Sequence, residues 1–94
     1  MISRSKALQI VKGIPKDKGI DYTRIDDEND IRFKTSQELS LPIPYGKYKG
    51  ERIDLYMVTY GEMWGLEERI MGIDIKGDTG EPLYIIAPHG FIEI

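Results

Sequence analysis

The sequence contains no cysteine. This absence excludes disulfides, thiolate metal sites and thiol nucleophiles together. Secreted domains of this size often depend on disulfides, so the composition favours a reducing compartment. The N-terminal segment lacks the apolar region and cleavage site of a signal peptide, and no run approaches the roughly 18 apolar residues of a membrane span. We therefore expect a cytoplasmic protein without membrane contact, or an extracytoplasmic one if a leader has been removed.

An excess of charge of one sign is also missing. Thirteen Lys and Arg residues against 16 Asp and Glu residues give a formal net charge of -3. General nucleic-acid binders usually carry a strong basic excess, so nucleic acid is not the expected partner. With 40% hydrophobic and 31% charged residues, the 94-residue chain is typical of a single soluble domain, spanning 1–94, with one modest core.

Groups for nucleophilic or acid–base catalysis are scarce. His89 is the only histidine and stands in a Pro-His-Gly turn, where we interpret it as an exposed turn residue. No serine lies in a Gly-x-Ser-x-Gly elbow. Residues 3–6 fit Ser-x-x-Lys in letters, but the partner motifs of that chemistry are missing, and Ser3 or Ser5 is better explained as a helix cap. We expect no catalytic residue and no enzyme activity.

Metal and cofactor motifs are not found either. The acidic run 26–30 suggests a calcium loop, but an EF-hand starting at Asp26 needs Gly and Glu where the chain has Ile31 and Gln37. The Gly77-x-x-Gly80 pattern lacks the Lys-Ser/Thr tail of a phosphate loop. We interpret the first as a solvated hairpin loop and the second as a hairpin turn, and expect no metal and no cofactor.

Helical periodicity occurs once, near the start of the chain. Four apolar residues recur at helical spacing: Ala7, Ile10, Val11 and Ile14. Gly13 can adopt the left-handed conformation that ends helices, and Pro15 opposes continuation. The pattern predicts a helix over residues 3–13, which is too short to be stable alone and must pack on a sheet.

Strand periodicity dominates the rest. Apolar Met71, Ile73 and Ile75 alternate with Gly72, Asp74 and Lys76. This alternation predicts a strand with one solvent-exposed face, followed by a turn over 77–80 with Gly80 at positive φ and a second strand over 83–86. Residues 51–60 and 91–94 are also predicted as strands.

The remaining segments predict a second hairpin and irregular connections. Residues 20–25 and 31–34 both alternate and flank the acidic run, so we expect them to pair. Residues 35–50 contain two prolines and predict an edge or polyproline-like passage that ends in an exposed loop. Residues 61–68 are predicted as a connector. The fold class is therefore α+β: one N-terminal helix packed on an antiparallel sheet of about five strands.

Aromatic residues are the best candidates for partner binding. Trp and Tyr dominate interface hot spots, and five of them would form a binding surface if they gathered on one side: Tyr45, Tyr48, Tyr56, Tyr60 and Trp64. Trp64 lies in a Gly-flanked segment, where it either caps the core or anchors a partner. The interleaved Tyr and Lys residues over 45–52 fit a plain surface loop, a protein-binding edge or a small nucleic-acid patch.

Three pieces of the chain resemble a PepSY-type domain. They are Ala7-Leu8-Gln9-Ile10-Val11, Tyr56-Met57-Val58, and Ile73-Asp74 leading to Thr79-Gly80-Glu81-Pro82-Leu83, and the resemblance around them extends over about half of the sequence. Segment 35–52 appears as an insertion. The resemblance implies a PepSY/cystatin-like outline and a non-enzymatic binding or inhibitory role, with no catalytic residue. Small immunity proteins of bacterial toxin systems have a similar outline.

The leading hypothesis is a non-enzymatic protein-interaction module, such as an inhibitor or toxin-immunity protein that occludes a partner. Mild acidity would favour a basic partner, such as a nuclease toxin. The alternative is a small-ligand carrier with a pocket between helix and sheet. The identity of the partner and the oligomeric state stay open.

Overall fold

The computed structural model of the chain describes residues 1–17 and 22–94. Within them, one helix and six strands follow in the order α1 (Arg4–Asp17), β1 (Tyr22–Ile25), β2 (Arg32–Lys34), β3 (Leu55–Trp64), β4 (Glu67–Lys76), β5 (Pro82–Ala87) and β6 (Gly90–Ile92). All strand pairs are antiparallel, in the order β1-β3-β4-β5-β6, with β2 also on β3. The predicted α+β class, with its N-terminal helix on an antiparallel sheet, is confirmed.

Helix α1 packs across one face of the sheet, which we call the helix face. Ala7 and Val11 are fully buried there. They pack with residues that alternate along three strands: Tyr56, Val58, Tyr60, Met71, Ile73, Ile75 and Ile85. The period-3.6 stripe of the helix therefore meets the period-2 faces of β3, β4 and β5, as amphipathic elements require.

The predicted helix end at residue 13 is wrong. Gly13 is not at positive φ, and α1 continues through Pro15 to Asp17. Ile14 is only 8% exposed within the helix-face core, and a helical path through Gly13 is what carries Ile14 there. Burial of a large side chain outweighs the one backbone hydrogen bond that Pro15 cannot donate.

The predicted pairing of residues 20–25 with 31–34 is also wrong. Strands β1 and β2 do not pair with each other; both lie along the same edge of β3, at opposite ends. A 3-10 turn at Glu28–Asp30 carries the chain along that edge instead of reversing it. Asp26 fixes this path, since its amide donates to the Thr59 carbonyl at 3.0 Å and its Oδ2 accepts from the Thr59 amide at 2.8 Å. Residues 20 and 21 of the prediction lie outside the described residues.

The β3–β4 hairpin extends further than predicted at its turn, while the predicted strand start at residue 51 is wrong, since β3 begins at Leu55. Residues 61–68, expected as a connector, extend both strands to ten residues, which are joined by a two-residue turn at Gly65-Leu66. Gly65 has φ 67°, as the first position of a type II′ turn requires. The sequence misled because Gly61 looks like a breaker. In the structure, the absence of a side chain at Gly61 leaves room for β1 beside β3, since a Cβ there would lie 2.5 Å from Thr23 Oγ1.

The predicted β4–β5 hairpin is confirmed, with Gly80 at φ 80°. The final strand is confirmed as β6. The expectation that β4 has one solvent-exposed face is wrong, however, because Asp74 is only 6% exposed. Asp74 instead lines a groove together with residues of the loop over residues 35–54, among them Leu39 and Ile43.

Candidate binding face

The 35–54 loop lies over part of the sheet face opposite the helix, which we call the second face. Its irregular course is as predicted, but its packing is not. Ile43 is 3% exposed and packs with Leu55 and Tyr84 in a second core cluster. The loop also folds back on itself, with Ile43 donating to the Glu51 carbonyl and Gly50 donating to the Ile43 carbonyl, both at 2.8 Å. It is therefore a structured cover for part of the second face.

Glu81 of the β4–β5 turn holds the outer end of this loop. The Tyr48 hydroxyl donates to Glu81 Oε1 at 2.8 Å, and Lys47 Nζ lies 2.9 Å from Glu81 Oε2. Both contacts lower the pKa of the Glu81 carboxyl, and the contact with Lys47 has the larger effect. Lys76 Nζ lies 4.8 Å from the centre of the Tyr48 ring. The contacts fix the loop relative to β4 and β5.

A groove remains between this loop and strands β4, β5 and β6. Its volume is about 660 Å³. Most of its lining is apolar: Leu39, Leu41, Pro42, Ile43, Pro44, Leu55, Tyr84, Ile86 and Phe91. It adjoins a shallower hollow of about 210 Å³, which shares Ile86 and runs over Met57 and Ile70 to Pro88. A smaller cavity of about 100 Å³ opens beside it between Lys34, Leu39 and Asp74.

Asp74 is the buried polar residue of this groove. It lines both the main groove and the smaller cavity. Its Oδ2 accepts a hydrogen bond of 2.5 Å from the Tyr84 hydroxyl, while its Oδ1 has no partner among the described residues. Burial raises the pKa of the Asp74 carboxyl, against the opposing effects of the Tyr84 hydrogen bond and the Lys34 charge. Burial likewise raises the pKa of Tyr84, and Asp74 adds to that shift.

Sequence reasoning missed Asp74 because its alternation with Ile73 and Ile75 indicated an outward-facing strand residue. The available signal was in another segment. Leu39, Leu41 and Ile43 are too apolar for a loop that is fully exposed, and at least one of them had to be buried against something.

Positive side chains surround the groove. Lys34 and Lys49 contribute to its lining, and Arg32 lines the smaller cavity beside it. All three are exposed. The ion pairs found among the described residues are Arg24–Glu68, Lys47–Glu81 and Arg69–Glu67, so none of them neutralises these cations. The groove is locally basic although the chain carries a net charge of -3.

The structure does not gather the five predicted partner-binding aromatics on one surface. Tyr56 and Tyr60 are 6% and 1% exposed under the helix, and burial raises the pKa of Tyr60 to about 12. Tyr45 and Tyr48 are half-buried in the 35–54 loop. Trp64 is half-buried and packs against the helix-face core, which agrees with the core-cap alternative. A role of these five residues in partner binding stays a prediction.

Other predicted positions have simple placements. His89 is exposed in the β5–β6 turn, with its ring centre 6.4 Å from that of Trp64. Across residues 1–17 and 22–94, no group of three or more acidic or histidine side chains is arranged to hold a metal ion. No helix in this part of the chain is long and apolar enough to cross a membrane.

Comparisons with known proteins add no relative. No family model matches the chain, and the searches of curated proteins and of solved structures give no match either. The resemblance to PepSY-type domains therefore stays a prediction.

Proposed function

We propose that this protein is a non-enzymatic interaction module that binds an extended apolar segment of a partner protein on its second face. One observation carries the proposal: apolar side chains of the second face, and of the 35–54 loop beside it, are exposed. Leu41 is 75% exposed, Ile70 51% and Phe91 41%. Contiguous apolar surface of this kind is typical of binding sites rather than of a free protein surface.

The shape of the face suits an extended segment. The 660 Å³ groove and the 210 Å³ hollow adjoin at Ile86, so they form one track from the 35–54 loop to Pro88. A strand presents alternate side chains to such a track while its other side chains stay in water. A segment of a partner can cover Leu41 and Ile70 together, which a small molecule cannot.

The charge around the track specifies the partner further. Arg32, Lys34 and Lys49 favour a segment with acidic residues beside its apolar ones. This differs from the basic partner that the net charge suggests, because side chains within contact distance outweigh a net charge that salt screens over about 8–10 Å. An inhibitor or toxin-immunity protein is one form that such a module takes, and the PepSY-like resemblance is consistent with it.

A small-ligand carrier is the second candidate. The groove volume of about 660 Å³ falls within the range of small-molecule sites. Its position differs from the one expected from the sequence, since it lies on the face opposite the helix rather than beneath it.

Selection from a random peptide display library tests the proposed function. We expect wild-type protein to enrich peptides with apolar residues at alternate positions and neighbouring Asp or Glu. Ile70→Glu should weaken their binding about tenfold or more, because it places a charge in the apolar track. Ile92→Glu is the matched control, since Ile92 is 42% exposed but pairs with Ile85 of the helix face.

Two results would contradict the proposal. One is a selection that enriches no peptide, or peptides that bind both variants equally. The other is a wild-type dimer in sedimentation experiments that Ile70→Glu dissociates and Ile92→Glu does not, because the second face would then bind a second copy of the chain.

A further inference from the structure

Asp74 Oδ1 is a hydrogen-bond acceptor that the described part of the fold leaves unused. Asp74 is only 6% exposed, and the hydrogen bond from the Tyr84 hydroxyl satisfies only Oδ2. A buried carboxylate oxygen without a partner is costly, and such groups in native proteins call for an explanation. Oδ1 is itself shielded from solvent, but Asp74 lines the groove, so a turn of its carboxylate toward the groove would let a bound group donate to this oxygen and remove the cost.

The walls beside Asp74 are aromatic and apolar. The Tyr84 and Phe91 rings both line the groove, with their centres 5.2 Å apart in an edge-to-face arrangement. Tyr45 stacks on Phe91 from outside at 5.8 Å. Pro42 and Pro44 form part of the opposite wall. Ring faces and edges arranged in this way favour another aromatic ring over an aliphatic chain.

The positive charges beside Asp74 disfavour a cationic donor. Lys34 lines the main groove and the smaller cavity, and its charge acts on the carboxylate. A bound amine or guanidinium would be repelled by Lys34 and by its neighbours Arg32 and Lys49. A neutral ring is not repelled and can in addition receive these cations over its face.

We infer that the Asp74 end of the groove is an anchor pocket for an aromatic ring that carries a neutral hydrogen-bond donor, the indole of tryptophan or the phenol of tyrosine. This inference rests on the proposed function and names the anchor residue of the bound segment. The ring lies between Phe91 and the proline wall, and its N–H or O–H donates to Asp74 Oδ1 once the carboxylate turns toward the groove.

Indole and benzofuran test the pocket without any peptide, because they have nearly the same shape and only indole has an N–H. Each is titrated into ¹⁵N-labelled protein, and amide shifts are followed in NMR spectra. We expect saturable shifts around Asp74, Tyr84 and Ile86, with indole binding about tenfold more tightly than benzofuran, as suits a hydrogen bond to a charged acceptor.

Variants assign that preference to the carboxylate. Asp74→Leu should bind indole and benzofuran equally, and Asp74→Asn, which keeps the shape, should show an intermediate preference. Asp78→Asn, an exposed aspartate in the β4–β5 turn, should keep the full preference. Equal binding of the two probes to wild type, or shifts centred on Trp64, would overturn the inference.

The results separate the two proposals. Indole binding that depends on Asp74, with no peptide enriched in the display selection, would leave the pocket standing and contradict the interaction module. Peptides that depend on Ile70, together with no discrimination between indole and benzofuran, would contradict the anchor pocket alone.

Discussion

Asp74 shows at the scale of one residue how neighbours change the chemistry of a side chain. On an exposed strand face its carboxylate would be solvated on both oxygens. In the groove that it lines with Ile43 and Leu55, Asp74 is 6% exposed and keeps one hydrogen bond, from Tyr84. Desolvation disfavours the charged form, which is why burial dominates and the pKa of this carboxyl rises.

The stability of the protein should therefore depend on pH through Asp74. Because the folded state raises the pKa of this carboxyl above its ordinary value of 3.8, the protonated form contributes stability below that value, and the contribution is lost as the pH rises through the folded-state pKa. Asparagine cannot ionise. We expect the unfolding free energy of Asp74→Asn to rise relative to wild type as the pH is raised above the ordinary pKa of 3.8 and through the folded-state pKa.

Urea unfolding at several pH values measures this difference. Asp78→Asn is the control for the loss of one exposed carboxylate. A difference between Asp74→Asn and wild type that falls with pH would show that the ionised form of Asp74 is the one stabilised by folding.

At the scale of the element, helix α1 and the β4–β5 turn use glycine in opposite ways. Gly13 lies inside the helix without positive φ, and a Cβ there would have none of the described neighbouring atoms within 4 Å. Gly80 has φ 80°, and a Cβ there would lie 2.8 Å from the Ile10 side chain. The first position gains nothing from glycine, and the second depends on it.

Alanine at these two positions should have opposite effects on stability. Gly13→Ala should increase the unfolding free energy by about 0.5–1 kcal/mol, because alanine loses less backbone entropy in a helix. Gly80→Ala should decrease it by about 1–2 kcal/mol or more, because of strain at positive φ and contact with Ile10. Thermal or urea unfolding of the two variants and of wild type measures both changes in unfolding free energy. A destabilised Gly13→Ala would instead support a helix that ends at residue 13.

At the scale of the whole molecule, one sheet separates two unequal cores. The helix-face core is formed by α1, β3, β4 and β5, and the smaller second-face cluster is formed by the 35–54 loop with Leu55 and Tyr84. Strands β3 and β4 belong to both sides and pair over ten residues. Strand β6 pairs over three, and all its residues are exposed.

Amide hydrogen exchange should follow this arrangement. We expect the central amides of β3 and β4 to open only with global unfolding. Those of β6 should open with a free energy at least about 2 kcal/mol lower, since this strand pairs over only three residues and all of them are exposed. Exchange followed by NMR gives both values in one experiment. Equal protection of β6 and β4 would mean that the β6 edge is covered, as in a dimer.

The sequence by itself determined the elements whose signals are local. Three of these signals depend on neighbours within a few residues: the alternation over Met71, Ile73 and Ile75, the positive φ at Gly80, and the stripe of Ala7 and Val11. The β4–β5 hairpin and the presence of the N-terminal helix could therefore be predicted. Backbone periodicity fixes which side chains share a face before any tertiary contact forms.

Only the tertiary structure decided what covers each face. Asp74 is buried beside a groove that it lines with Ile43, a residue 31 positions earlier in the chain. Whether Tyr60 can meet a partner depends on where α1 packs. Strands β1 and β2 pair with β3 because its edge offers unpaired backbone groups, which no pattern within residues 20–34 reveals. Burial and strand pairing are properties of distant segments brought together, and the candidate site is formed entirely by such contacts.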